Sequence, residues 1–159
     1  MTLPIAIRPA CTDDLPLLLN SWLKSYRNAP AVTTVPNELY FDEGMGQKAR
    51  ILSLLGECET RVACDPEDHE VVYGWITFEP TLDLPTIVHY AYVKQAYRRQ
   101  GIGTALLRDA GVVGDAPFWI SHETPVVNVI RRNGLNCVHN PFVHMYEREM
   151  VEFAEGGDN

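Results

Sequence analysis

The chain reads as an α/β protein, and three observations predict it. Strand-like and helix-like segments alternate in the order β α α β β β α β α β β. The middle strands follow one another as an antiparallel meander, and a helix after Gly101 then crosses over to a later, parallel strand. The length of 159 residues suits one domain, which can bury about 68–70% of its unfolded surface without a disulfide or metal staple. The expected domain spans residues 1–152, with a frayed tail over 153–159.

Each element has a local reason. Ile5 to Arg8 alternates like an edge strand and stops at Pro9. Thr12 is placed to cap a helix whose first turn holds Asp13 and Asp14, where negative charge suits the dipole. Leu15, Leu18, Leu19, Trp22, Leu23 and Tyr26 recur at helical spacing to about Arg27. Asn28-Ala-Pro30 breaks that helix. A second helical zone opens at Pro36 or Asn37, is interrupted by Gly44 and Gly46, and resumes from Gln47 to Leu55 before Gly56. Thr60 to Cys64 is a strand, and Asp65 to Glu70 an acidic hairpin loop. Val71 to Phe78 is the next strand; Gly74 in its middle marks a bulge or a close backbone approach. Thr86 to Val93 is a strand, followed by a helix from about Gly103 to Val112. Phe118 to His122 is a strand, Thr124 or Pro125 starts a helix that Gly134 ends, and Val138–Asn140 and Val143–Met150 are the last strands.

Composition narrows the function. The net charge of −8 disfavours a general nucleic-acid surface. It also favours a cationic substrate such as an amine. No apolar run approaches the ~18 residues needed to span a bilayer, and no leader-like segment opens the chain. Cys11, Cys58, Cys64 and Cys137 are scattered, with no Cys-x-x-Cys pair. They read as reduced thiols in a cytoplasmic protein, with no metal site expected.

The densest signal runs from Val93 to Leu107, VKQAYRRQGIGTALL. Strand, glycine turn and helix start follow in that order. Unpaired amides at a helix start, reinforced by the helix dipole, attract anions. Gly101 and Gly103 lack the Cβ atoms that would keep a phosphate away, and Arg98 and Arg99 add positive charge. The pattern predicts a phosphate or pyrophosphate cradle. A plain tight turn and a dinucleotide site are the alternatives. Against the latter, Leu106 stands where a third glycine would be, and no acidic ribose ligand is placed after the turn. No Gly-Lys-Ser/Thr follows, which excludes a Walker loop.

Arg98-x-x-Gly101-x-Gly103 resembles the Gln/Arg-x-x-Gly-x-Gly/Ala signature of the GNAT superfamily of N-acetyltransferases. Val93, eight residues before Gly101, and Ile5–Ala10 followed by Asp13 and Asp14 also fit that family's frame. Gln95 replaces the usual proline. Ser21–Tyr26 and Val71–Phe78 also resemble stand-alone members of tailed phages. The resemblance implies a mostly antiparallel mixed sheet with splayed central strands and helices on both faces. It implies acetyl-CoA as the acyl donor, held by Val93, Arg98, Arg99, Gln100, Gly101, Ile102, Gly103 and Thr104. Val93 would pair with the pantetheine arm, and the acceptor would be an amine. Tyr26, Tyr40, Asp42 and Glu43 fall where an acceptor pocket would lie.

Candidate proton carriers are His89, Ser121 and His122, with Tyr90 and Tyr92 nearby. Strand alternation sets His89 and Ala91 on one face and the two tyrosines on the other. Two departures from the family stand out. Ile130 replaces a tyrosine that acts as acid toward the thiolate in many relatives, which leaves Tyr146, another tyrosine or water for that role. Ser121 replaces a glutamate found in some protein-acetylating relatives. Two further readings stay open: a catalytically inactive acyl-CoA-binding module of the same fold, and a dinucleotide enzyme. The state is monomer or homodimer.

Overall fold

The computed structural model describes residues 3–81 and 84–142. The expected strand over 143–150, Tyr146 and the tail lie outside the described residues.

Among the described residues six strands form one sheet in sequence order: β1 (Ala6–Pro9), β2 (Glu59–Cys64), β3 (Val72–Glu79), β4 (Ile87–Val93), β5 (Phe118–Ile120) and β6 (Cys137–His139). The first four pair antiparallel; β4–β5 and β5–β6 are parallel. The helices are α1 (Leu15–Tyr26), α2 (Asn37–Tyr40), α3 (Gln47–Glu57), α4 (Ile102–Asp109) and α5 (Pro125–Arg132).

Each face of the sheet buries its own core. On one side α4 contributes Ile102, Leu106 and Leu107 against Ile76, Phe78, Val88 and Phe118. On the other, Leu18, Trp22 and Tyr26 of α1 and Ile51 and Leu54 of α3 pack on Val62, Trp75 and Tyr90. Polar bonds fix α1 on its face: Trp75 Nε1 donates to Ser21 Oγ at 2.9 Å, and Ser25 Oγ lies 2.6 Å from the Tyr90 hydroxyl.

Several local expectations shift. The helix at the N-terminus opens with a short 3-10 turn over Thr12–Asp14, so Cys11 and not Thr12 precedes it. Asp14 accepts the Cys11 N–H at 2.8 Å and a bidentate pair from Arg8 at 2.7 and 3.0 Å. Gly56 lies inside α3, which the backbone tolerates at a cost of about 1 kcal/mol against alanine. β5 ends at Ile120, short of His122. Among the described residues no helix is long and apolar enough to cross a membrane.

Two bulges shape the sheet. One lies beside Gly74: the β2–β3 register shifts there, and a Cβ at Gly74 would sit 2.5 Å from the Tyr92 carbonyl oxygen. Both readings of that glycine, bulge and close approach, apply. The other lies in β4, where Thr77 pairs with Tyr90 but Phe78 with Val88, leaving His89 as the extra residue.

Candidate active site

β4 and β5 fork. Among the described residues they pair only at Ile87–Trp119 and Val88–Ile120; β5 ends at Ile120 and β4 outruns it to Val93, which leaves the notch of the fork. Lys94 N–H donates to the Tyr73 carbonyl, so its neighbour Val93 turns its own N–H and C=O away from β3, into the fork. The Val93 carbonyl accepts from Arg98 Nε at 2.9 Å.

The glycine turn stands at the open end of the fork. Gly101 precedes α4 with φ +81°, and Arg99 has φ +65°. Nothing lies within 4 Å of where a Cβ on Gly101 would project. Ala105 N–H is the first of α4 to find a helical acceptor, the Gly101 carbonyl. Among the described residues, the amides of 99–104 have no acceptor. Arg98, Arg99, Gln100 and Thr104 are exposed, while Ile102 is buried in the core and anchors the turn. Side chains do not seal this bend.

At the closed end of the fork three of the sequence candidates meet. His89 Nδ1 lies 2.7 Å from Ser121 Oγ, and Ser121 Oγ 2.8 Å from His122 Nδ1. All three are almost fully buried, with 1–3% of their surface exposed. The ring of His122 packs against Trp22, Tyr26 and Tyr90. Burial, helped by the positive field of Arg50, pushes the His122 pKa well below its usual 6.5, so the ring is neutral at pH 7. Burial also lifts Tyr90 to about 12, which removes it as a base despite its bond to Ser25.

The expected opposition of His89 and the tyrosines is overturned. Val88 and Tyr90, two residues apart, lie in different cores, because the extra residue at His89 resets the alternation. His89 thereby faces the α1–α3 side with Tyr90. Its Nε2 stands 3.5 Å from Glu79 Oε2, and Glu79 Oε1 accepts the Cys58 thiol at 2.9 Å.

Sequence reading missed Cys58, Glu79 and Gln47, whose Nε2 lies 2.9 Å from His122 Nε2. Gln47 is 75 residues from His122 in the chain, and no spacing signal links them. Donor atoms of Cys58, Glu79 and His89 lie within 4.8 Å of one another. The thiol donates to one carboxylate oxygen and the other faces the ring, and we read the trio as an internal polar cluster, not as metal ligands.

The expected acceptor-pocket residues divide. Tyr40 is core, its hydroxyl donating to the Leu23 carbonyl. Asp42 caps the amides of Gly44 and Met45, and Glu43 pairs with Lys48. Tyr26 alone touches the histidine cluster, through its contact with His122.

Solved structures share this architecture. A histone acetyltransferase HPA2-related acetyltransferase from Corynebacterium glutamicum is similar at TM-score 0.56 and 16% identity, covering 84% of each chain. A structure from Rhodopseudomonas palustris described as a GCN5-related N-acetyltransferase, aminotransferase class-II, gives TM-score 0.55 and 17% identity, covering 84% of this chain and 82% of that one. No curated protein sequence matches. The model of the acetyltransferase (GNAT) domain matches residues 57–148, more than half of the chain and every strand from β2 to β6. The chain therefore belongs to the GNAT acetyltransferase family.

Proposed function

We propose that this acetyltransferase moves the acetyl group of acetyl-CoA directly to a primary amine of a small molecule or protein, within one ternary complex. The observation that supports this most is the fork itself: the glycine turn stands beside the Val93 end of β4, and the buried histidines stand where β4 still pairs with β5. The amides of 99–104 would take the pyrophosphate, with Arg98 and Arg99 supplying charge at its mouth. The N–H of Val93, turned into the fork, would pair with the pantetheine arm. The thioester would then reach the closed end, beside His89, Ser121 and His122.

A lysine-type amine with pKa ~10.4 is unprotonated in about one molecule in a few thousand at pH 7, so freeing its lone pair costs roughly 4–5 kcal/mol. A positioned base recovers part of that, typically ~10²–10⁴ in rate. His122 is the best placed acceptor: neutral, buried and hydrogen-bonded at Nε2 to the half-buried Gln47. The amine nitrogen attacks the thioester carbon, the C–S bond breaks, and CoA leaves as thiolate. Tyr146 remains the candidate acid toward it.

The test is direct. Acetyl-CoA is mixed with a panel of primary amines, covering polyamines, amino acids and lysine peptides. Free thiol and acetylated product are followed together. Equal release of both, needing the amine, is expected. No product from any amine, together with no thermal stabilisation by CoA, would refute the proposal.

A further inference from the structure

Five side chains from three elements and a loop stand in file, hydrogen-bonded from Gln47 to His89 and then facing Glu79 across a longer gap. Gln47 Nε2 meets His122 Nε2 at 2.9 Å, His122 Nδ1 meets Ser121 Oγ at 2.8 Å, Ser121 Oγ meets His89 Nδ1 at 2.7 Å, and His89 Nε2 faces Glu79 Oε2 at 3.5 Å. Donor chemistry gives the file a direction. An amide nitrogen can only donate, so His122 Nε2 accepts from Gln47. Being neutral, His122 carries its proton on Nδ1 and donates it to Ser121. The serine hydroxyl therefore donates to His89 Nδ1. His89 is left with its proton on Nε2, aimed at Glu79. The carboxylate's other oxygen accepts from Cys58, so Oε2 is the one turned to the ring.

We propose that Glu79 is the terminal proton acceptor of the acetyl-transfer site, reached from His122 through Ser121 and His89. This rests on the acetyltransferase reading of the same fork. As the amine displaces the Gln47 amide, its N–H bond breaks and a bond to His122 Nε2 forms. His122 Nδ1 gives its proton to Ser121 Oγ, the serine gives its own to His89 Nδ1, and His89 Nε2 gives its own to Glu79 Oε2. One proton has moved from amine to carboxylate. Both rings and the serine end neutral, with each histidine in its opposite tautomer.

The burial profile fits that traffic. The three inner residues exclude water, so no solvent molecule competes for the proton. The Glu79 side chain is 15% exposed while Oε2 itself is buried, so the proton passes to solvent once the carboxyl turns. A relay also resolves a difficulty in the site. A histidine whose charged form is disfavoured by burial holds a proton poorly, and handing it on at once avoids a buried imidazolium. The longest link, His89 to Glu79, closes with a small turn of the carboxylate; catalytic hydrogen bonds commonly tighten only when substrate is bound. Alternation from Val88, which lies opposite Phe78, sets His89 on the face of Glu79, and the bulge adds Tyr90 to that face. Charged and titratable groups around the file are Arg50, His139, Tyr26 and Tyr90 near His122, and Cys58 beside Glu79. Glu123 balances His139 and Arg131.

Glu79 acts through His89, so it is a positioning and discharge residue. The full-length chain carrying Glu79→Gln or Glu79→Asp is compared with the parent, using acetyl-CoA and the best amine of the panel. Glu79→Gln is expected to lower kcat by at least about tenfold and to alter the acidic limb of its pH profile. The amine KM and the thermal shift given by CoA stay as they were. Glu79→Asp restores part of kcat. Nitrogen-15 spectra of the histidine rings provide a readout that needs no turnover: the resting protein should show His89 protonated on Nε2 and His122 on Nδ1. Wild-type kcat and pH profile in Glu79→Gln would overturn the relay, as would the opposite pair of tautomers. Retention of one equivalent of zinc that His89→Ala abolishes would also overturn it, because a metal would occupy Nε2. An inactive parent protein is a different result: it removes the acetyl-transfer reading, and the ring spectra still decide the relay's direction.

Discussion

Substituting Gly101 by alanine separates the anion cradle from an ordinary turn. Gly101 has φ +81°, a conformation that costs an L-residue roughly 1–2 kcal/mol. The added methyl meets nothing within 4 Å, so no clash adds to that cost. In a domain of this size the loss lowers Tm by about 2–8 °C. Gly103→Ala is the matched control. It lies inside α4, its methyl would only touch Val93 Cγ2 at 4.0 Å, and alanine is the better helix former by about 1 kcal/mol. The ligand-free stabilities should therefore move in opposite directions. CoA at about 100 times its dissociation constant stabilises the parent by ~2.7 kcal/mol. If the Gly101 methyl occupies the space of a phosphate and affinity falls about tenfold, the same CoA concentration yields only ~1.4 kcal/mol. Thermal melts with and without CoA measure both effects on one sample. A Gly101→Ala protein that melts lower yet keeps the whole CoA shift would show that no phosphate rests on this bend, and the proposed donor site would fall.

Three further outcomes follow from the packing and the charges. Gly74→Ala should destabilise by about 1–3 kcal/mol, because its methyl would press to 2.5 Å from the Tyr92 carbonyl; urea unfolding checks this, and an unchanged midpoint would mean the β3–β4 approach is looser than described. Asp14→Asn should cost roughly 2 kcal/mol at neutral pH, since Arg8 holds the Asp14 carboxyl at about 2 from its usual 3.8. A depressed carboxyl stabilises above its unfolded pKa, so parent and variant should converge as pH falls from about 4 to 2. His122 works in the same sense: its folded pKa is lowered, so the unfolded chain takes up a proton first as pH drops below 6.5, and stability declines. His122→Gln should flatten that decline between about pH 7 and 5, and an equally steep slope in the variant would show that the ring is not held neutral by burial.

What the sequence determined by itself was local. The helical spacing of Leu15 to Tyr26, the strand through Gly74 and the order strand, glycine turn, helix around Gly101 depend on near neighbours, and each stands close to where the residues put it. Tertiary structure decided the rest. Whether His89 shares a face with Tyr90 depends on a one-residue shift against β3, and alternation along β4 alone set them on opposite faces. The parting of β4 from β5 after Val88 depends on how far β5 extends, which ends two residues before His122. Gln47 reaches His122 across 75 residues of chain, and Ser121 reaches His89 across 32. Their contacts are short in space and long in sequence, set by how two packed faces meet across the sheet, and no pattern of neighbouring residues encodes them.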